Sequence, residues 1–187
     1  MSARFPECTY GVILADPPWA YSSKVHAKMG KYAEDHYPTM KTQAIADLPV
    51  ASIAHSDSFL FLWATPPNLI ESLWVMTAWG FRYITIAFTW VKTNPKKGNY
   101  FYGIGAYTRS NAEHCLLGKR GHPDIVSSNA SSLIVSPRRQ HSRKPDEQYA
   151  RIETLCGEIP RIELFARHRQ SGWDSWGNEL TNQCYED

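Results

Sequence analysis

The tetrapeptide Asp16-Pro17-Pro18-Trp19 contains the residues whose types and spacing point most clearly to chemistry. It follows the apolar run 10–15, which has no polar alternation and is typical of a strand buried on both faces. Ligands of open α/β sheets bind beyond the carboxyl ends of the strands, where this tetrapeptide would lie. The alternative is a plain β-turn in which Asp16 caps the chain and Trp19 packs. The four residues together after a buried strand favour a functional site.

The chemistry that this tetrapeptide suits is the orientation of an amine on an aromatic ring. Such an amine is a poor nucleophile because its lone pair is delocalised into the ring. The prolines fix the backbone and lack N–H groups, so the carbonyls of Asp16 and Pro17 are predicted to be rigid acceptors with no competing donor. A carboxylate and a carbonyl accepting the two N–H bonds would orient the nitrogen and stabilise the developing positive charge. The indole of Trp19 could stack on the ring.

The composition is that of one globular domain spanning residues 1–187, with 43% hydrophobic and 20% charged residues. The formal net charge of +2 is too small to indicate a polyanionic partner. The basic residues nevertheless cluster in segments 92–97, 119–122 and 138–144. Such clusters are local patches that could contact nucleic acid, although they are more often solvated loop faces.

The cysteines at positions 8, 115, 156 and 184 form no C-x-x-C pair and no zinc-ligand spacing. We therefore expect reduced thiols, no bound metal and a cytoplasmic protein. The first residues lack the apolar segment of a signal peptide, and no apolar run approaches the roughly 18–20 residues needed to cross a membrane.

The elements that must position the tetrapeptide alternate between strands and helices. Further strands are predicted at 58–64, 83–92, 113–119, 133–136 and 161–165, and helices at 67–79 and 145–156. This order predicts an α/β domain built as a three-layer sandwich. The segment 93–111, rich in Gly, Tyr, Asn and Lys, is a long loop and a candidate binding element.

Eight sequence blocks together resemble the MT-A type adenine methyltransferases. This family includes the catalytic subunit of the eukaryotic messenger-RNA adenine methylation complex and many bacterial and phage enzymes. The resemblance covers roughly residues 10–180. The blocks are 15–19, 36–40, 59–63, 90–94, 113–116, 141–147, 162–167 and 177–179.

The resemblance implies a Rossmann-like methyltransferase fold with a mostly parallel mixed sheet and a permuted order of motifs. The tetrapeptide comes early, and the strand 161–165 that leads to the cofactor comes late. It implies S-adenosylmethionine as methyl donor and the N6 amine of adenine in nucleic acid as acceptor. Asp16 would face the methionine ammonium. The other residues implied to bind the cofactor are Lys144, for the methionine carboxylate, and Arg167, Asn178 and Glu179, for the ribose hydroxyls.

By the same resemblance, several residues are implied to bind the substrate. These are Trp19, Tyr21, Tyr37, Lys92 and Glu113. Glu113 is equally well interpreted as a carboxylate at a strand edge. His114, Cys115, Trp63 and Trp90 are expected to belong to the structure rather than to catalysis.

Two departures from the family pattern affect what is expected of the site. Only nine residues precede Tyr10, where longer members place a segment that helps to hold the adenine of the cofactor. We expect this contact to be missing, shortened or replaced. We expect no separate target-recognition domain, zinc finger or coiled coil, so selectivity is expected from the loops 22–35 and 93–111, from homodimer or heterodimer formation, or from another partner.

The sequence leaves the acceptor and the activity open. DNA and RNA present the same adenine edge. A small member without RNA-binding modules suits a bacterial or phage DNA-modifying enzyme, so DNA is favoured. A catalytically silent nucleic-acid-binding or scaffold partner is the main alternative, although the intact tetrapeptide argues against it. A methyltransferase acting on protein glutamine or on cytosine amines shares the amine chemistry and is a third hypothesis.

Overall fold

A mixed sheet forms the centre of the protein. The computed structural model describes residues 5–20, 39–105, 107–139, 143–178 and 180. Within this part of the chain the sheet has seven strands in the order β5-β3-β4-β2-β1-β6-β7. The strands are β1 (Tyr10–Ala15), β2 (Ala54–Ala64), β3 (Arg82–Thr93), β4 (Glu113–Arg120), β5 (Leu133–Pro137), β6 (Arg161–Leu164) and β7 (Asp174–Trp176).

Most neighbouring strands run parallel. β1 pairs in parallel with both β2 and β6, β3 with β5, and β6 with β7, whereas β4 is antiparallel to β2 and to β3. Ala15 lies opposite Leu62 of β2 and Leu164 of β6. The carboxyl ends of three adjacent strands therefore meet at one edge of the sheet. Because β4 is antiparallel, its first residue, Glu113, reaches the same edge.

Helices cover both faces of the sheet. They are α1 (Thr42–Ala46), α2 (Leu69–Ala78) and α3 (Glu147–Cys156). Side chains of β2 alternate between the two cores, as the period of a strand requires. Leu60 and Leu62 pack with α1 and α2, whereas Phe61 and Trp63 pack with α3. The predicted three-layer α/β architecture with a mostly parallel mixed sheet is confirmed.

The predicted elements are present with shifted ends. The predicted helix 67–79 is divided into a 3-10 turn at Pro66–Asn68 and α2, and Gly80 follows it at a φ of +83°. β2 begins four residues before the predicted strand 58–64, because residues 55–57 are polar and exposed and interrupt the apolar signal. α1 and β7 were not predicted. With five and three residues, they are too short for a periodic pattern to show.

None of the described helices is long and apolar enough to span a membrane.

Candidate active site

Asp16 and Lys144 form the centre of the site although 128 positions separate them. Asp16 directly follows β1, and Lys144 lies just before α3. The Nζ of Lys144 donates to both carboxylate oxygens, at 2.8 Å from Oδ1 and 2.7 Å from Oδ2. It also lies 5.5 Å from the centre of the Trp63 ring. The lysine side chain is 8% exposed and the Asp16 side chain 26%, so this ion pair is partly shielded from water.

Two further charged residues extend this pair. Lys144 Nζ lies 3.3 Å from Glu113 Oε2, and Lys92 Nζ donates to Glu113 Oε1. Lys92 and Glu113 come together because of the register between β3 and β4. Trp90 of β3 lies opposite Glu113, and Lys92 follows two residues later on the same strand. Asp16, Lys144, Glu113 and Lys92 therefore form a row of alternating charges, here named the charge chain.

The pKa values within the charge chain show how burial and neighbouring charges compete. Burial raises the pKa of Asp16, and the Lys144 ammonium only partly opposes this effect. Burial acts in the same direction on Glu113, but Lys144 and Lys92 outweigh it, so the pKa of Glu113 is lowered. Burial would lower the pKa of Lys144, but Asp16 and Glu113 raise it above its ordinary value. Lys144 and Glu113 therefore remain charged at neutral pH.

The backbone of the tetrapeptide departs from the prediction in one respect. The N–H of Trp19 donates to the Pro17 carbonyl at 2.9 Å, and the N–H of Met40 donates to the Pro18 carbonyl at 2.8 Å. The prediction that the Pro17 carbonyl has no competing donor is therefore wrong. The chain turns tightly enough after Pro17 for Trp19 to reach back. A carbonyl oxygen has two lone pairs, so one acceptor position remains.

Trp19 is packed inward. Its side chain is 4% exposed, and its indole N–H donates to the backbone carbonyl of Trp63 at 3.0 Å. The ring belongs to the core cluster on the α1 and α2 face of the sheet. This placement matches the packing alternative, and stacking of Trp19 on a base stays a prediction. Trp63 and Trp90 are buried core residues, as expected.

A cavity of about 440 Å³ opens beside Asp16, a size typical of small-molecule sites. Its lining residues are Asp16, Arg139, Arg143, Lys144, Gln148, Tyr149, Glu163, Phe165, Arg167 and His168. The structure thus brings together three of the predicted cofactor-binding residues, Asp16, Lys144 and Arg167. Asn178 is exposed and is not among the described lining residues. Glu179, Tyr21 and Tyr37 lie outside the described residues, so their roles stay predictions.

Glu163 is a cavity residue that the sequence reasoning missed. It lies in β6, is buried, and accepts a hydrogen bond from the hydroxyl of Tyr149 at 2.9 Å. Burial raises the pKa of Glu163 to about 7, although the bond from Tyr149 opposes the shift. The available signal was a carboxylate between Ile162 and Leu164, inside a predicted buried strand that leads to the cofactor.

A tight turn after β6 directs the following side chains to the cavity. Phe165 has a φ of +62°, in the left-handed region that bulky residues rarely adopt. The Ala166 N–H then donates to the Trp176 carbonyl at 3.0 Å. A Cβ on Gly177 would lie 2.3 Å from the Ala166 carbonyl oxygen, so glycine is required for this close approach. The turn places Arg167 and His168 in the cavity wall.

The cavity wall suits an organic ligand with a carboxylate and hydroxyl groups. Lys144 and Arg167 supply cations, and Glu163 supplies an acceptor. The Nε2 of His168 is buried without a hydrogen-bond partner among the described atoms, so the wall has hydrogen-bonding capacity left for a ligand. Across the described ranges, no group of three or more His, Cys, Asp or Glu side chains could hold a metal ion.

Comparisons with known proteins identify the family of the chain. The MT-A70 family model matches residues 10–179. The type II methyltransferase M.MunI of Mycoplasma sp is 33% identical over 200 residues, covering 98% of this chain and 83% of that protein. An N(6)-adenosine-methyltransferase MT-A70-like protein of Arabidopsis thaliana is 34% identical over 175 residues, covering 92% of this chain and 24% of that protein. The human N(6)-adenosine-methyltransferase catalytic subunit METTL3 is 31% identical over 177 residues, covering 91% of this chain and 28% of that protein.

The chain thus spans about a quarter of the two eukaryotic relatives and most of the bacterial one. Its charge chain and cavity lie within residues 10–179, which the family model matches. The chain belongs to the MT-A70 family of N6-adenine methyltransferases, which use S-adenosylmethionine as methyl donor.

Proposed function

We propose that this protein transfers a methyl group from S-adenosylmethionine to the N6 amine of adenine in DNA. The observation that carries the proposal is the position of the Asp16 carboxylate. It lies at the carboxyl end of β1, at the wall of the cavity, with Lys144 bonded to both of its oxygens.

The lining residues match the parts of S-adenosylmethionine, which supplies an electrophilic methyl group when bound. Lys144 is placed to bind the methionine carboxylate, Asp16 the ammonium, and Arg167 a ribose hydroxyl. Glu163 is an acceptor for ribose hydroxyls. The buried Nε2 of His168 can complete its hydrogen bonding with a polar group of the cofactor.

Asp16 is also placed to orient the acceptor amine. Its carboxylate and the remaining lone pair of the Pro17 carbonyl can accept the two N–H bonds of adenine N6, which directs the nitrogen lone pair for in-line attack. The adenine must leave its stack to reach this position. Because burial raises the pKa of Asp16, the carboxylate is also better suited to take up a proton from the methylated amine.

Glu113 gives Lys144 a second anionic partner. While Lys144 is bonded to both Asp16 oxygens, those oxygens are partly engaged. Glu113 lies 3.3 Å from the same ammonium. Lys144 can therefore keep a counter-charge when Asp16 accepts hydrogen bonds from an ammonium or an amine. This role makes Glu113 a positioning residue.

The choice of DNA follows the similarity to the type II methyltransferase M.MunI, which extends over 98% of this chain at 33% identity. The N(6)-adenosine-methyltransferases, at 31–34% identity, support a different acceptor. RNA is the alternative acceptor. We further propose a cytoplasmic location, and contact with nucleic acid through loops near the site.

Incubation with labelled S-adenosylmethionine and matched DNA and RNA oligonucleotides tests the proposal, followed by identification of the methylated base. We expect N6-methyladenine in DNA, and a loss of about 10²–10³-fold in the transfer rate for Asp16→Ala. Asp124→Ala, at an exposed aspartate, is the matched control and should retain the rate.

Full transfer by Asp16→Ala would contradict the proposed role of the tetrapeptide. Labelling of RNA alone would reassign the acceptor. An absence of cofactor binding by calorimetry would revive the hypothesis of a catalytically silent partner.

A further inference from the structure

The loop between β3 and β4 presents aromatic side chains to solvent. Residues 94–111, here named the tyrosine loop, include Tyr100 and Tyr102, which are 55% and 57% exposed, and Tyr107, which is fully exposed. Phe101, between the first two, points the other way and lies under the guanidinium of Arg138, 4.4 Å from its ring centre. Exposure of aromatic rings to water is unfavourable. Three exposed rings in one loop therefore indicate that this surface binds a ligand.

The first half of the tyrosine loop is a closed turn. The N–H of Asn94 donates to the Asn99 carbonyl at 2.8 Å, and the Gly98 N–H donates to the Asn94 carbonyl at 2.9 Å. Gly98 has a φ of +69°, which the turn requires and glycine tolerates. The turn carries the exposed side chains of Lys96 and Lys97.

The second half is held by backbone pairing and by an arginine. Gly103 and Ser110 exchange hydrogen bonds in both directions, at 2.6 and 3.2 Å. Arg109 donates to the carbonyls of Gly103 at 3.0 Å and of Tyr102 at 2.7 Å. The backbone at Tyr102, Gly103 and Ser110 is therefore held in place, so a ligand would lose little affinity to ordering it.

The base of the loop is attached to the site. The Oδ1 of Asn111 accepts the Lys92 N–H at 2.9 Å, and its Nδ2 donates to the Lys92 carbonyl at 3.0 Å. Lys92 is the last member of the charge chain that leads through Glu113 and Lys144 to Asp16. The base of the tyrosine loop is therefore joined to Asp16 through the charge chain.

The charge of the loop identifies the class of ligand. Segment 94–112 contains Lys96, Lys97 and Arg109 and no Asp or Glu. Aromatic faces interleaved with cations are the pattern that binds single-stranded nucleic acid, with bases on the rings and phosphates on the cations. Bases within a duplex have no free face, so the ligand must contain unpaired bases.

We propose that the tyrosine loop holds unpaired bases of DNA next to the target adenine, stacked on Tyr100, Tyr102 and Tyr107, with Lys96 and Lys97 on the adjoining phosphates. This inference rests on the proposed function, since it takes the same DNA as ligand. It adds a consequence for substrate choice. Single-stranded or locally opened DNA binds more tightly than a closed duplex of the same sequence.

Fluorescence anisotropy with labelled oligonucleotides of about 12 bases, single-stranded and duplex, tests the inference on the full chain. Each change Tyr100→Ala, Tyr102→Ala or Tyr107→Ala should weaken single-strand binding by about 5-fold to 100-fold. The matching Tyr→Phe variants keep the ring and should bind like the unchanged protein. Tyr83→Ala, at an exposed tyrosine of β3, is the control. Affinity for S-adenosylmethionine, measured by calorimetry, should stay unchanged in every variant.

The contribution of the lysines is measured separately, by the salt dependence of DNA affinity. Changing both Lys96 and Lys97 to Gln should reduce the slope of log affinity against log salt concentration by about 1.4, since each phosphate contact to a single strand contributes about 0.7. The tyrosine variants should retain the full slope.

Unchanged affinity in the alanine variants would overturn the inference, and so would an equal loss in the phenylalanine variants. It would also be overturned if the variants changed the oligomeric state and left DNA affinity intact, or if only RNA binding depended on the tyrosines. Tyrosine-dependent DNA binding without any methyl transfer would contradict the proposed function and leave this inference standing.

Discussion

Two glutamates of the same sheet, the half-buried Glu113 and the buried Glu163, have opposite electrostatic surroundings. Glu113, at the start of β4, lies between the ammonium groups of Lys92 and Lys144, and its pKa is lowered. Glu163, in β6, has the Tyr149 hydroxyl as its hydrogen-bond donor, and its pKa is raised to about 7. Burial acts on both in the same direction. Neighbouring cations, and not depth, decide which of the two stays charged.

The difference matches two tasks within one site. A carboxylate that is always ionised can hold a lysine in place, as Glu113 does. A carboxylate with a pKa near 7 can exist with or without its proton at the pH of a cell, so Glu163 can donate or accept a hydrogen bond in the cavity.

Removing the cation between Asp16 and Glu113 should weaken the contrast and leave Lys92 as the cation beside Glu113. Lys144→Met leaves two half-buried carboxylates without their shared partner, which should lower the free energy of unfolding by about 3–5 kcal/mol at neutral pH. The deficit should shrink as the pH falls, because protonation relieves the repulsion. Urea denaturation at several pH values measures both effects. Lys41→Met, at an exposed lysine, should change stability by less than about 0.5 kcal/mol, and equal losses in the two variants would contradict the prediction.

Glu163 should make stability fall with rising pH. Its pKa is about 7 in the folded protein and 4.5 ordinarily, so the folded state binds the extra proton between these values. Stability should therefore fall through this window by about 3 kcal/mol and level off above it. Glu163→Gln should remove this slope and be more stable than the unchanged protein at alkaline pH. The exposed Glu147→Gln is the control, and an identical pH profile in all three proteins would contradict the assignment.

Glu113 should affect the pH dependence of stability in the opposite direction to Glu163. Because its folded-state pKa is lowered, its stabilising contribution is present above the ordinary value of 4.5 and is lost as the pH falls through the folded-state value. Glu113→Gln should reduce the free energy of unfolding by about 2 kcal/mol at neutral pH, with a smaller deficit in acid. A deficit that grows on acidification, measured by urea denaturation, would show that the sign is wrong.

The smallest expected effect concerns Tyr149, which lowers the pKa of Glu163 through its hydroxyl. Tyr149→Phe should move the pH window of Glu163 upward and cost about 1 kcal/mol for the lost hydrogen bond. Phe at position 149 keeps the ring that packs edge-on against Trp173. If the pH range over which Glu163 changes the free energy of unfolding stays the same in this variant, Tyr149 does not lower the pKa of Glu163.

The sequence was sufficient to predict an element and a site where a local residue pattern stands directly beside the functional residue in the chain. The apolar run before Asp16 predicts both β1 and the site at its end, and the resemblance names Lys144 and Arg167, which the structure places in the cavity wall. The salt bridge between Lys144 and Glu113 could not be predicted, because it depends on the sheet order β4-β2-β1. Glu163 was missed because a carboxylate within an apolar strand gives no periodic signal. The inward position of Trp19 could not be predicted, because its indole N–H bonds to the carbonyl of Trp63, 44 positions away in the sequence.

Trp63 connects both halves of the site. Its carbonyl accepts the indole N–H of Trp19, and its own indole N–H donates to Gln148 of α3 at 2.7 Å. The turn that carries Asp16 and the helix that follows Lys144 are therefore joined through one residue of a central strand. We expect this frame to be rigid, so that the spacing of carboxylate and ammonium is preorganised before a ligand arrives and little binding energy is spent on assembling it.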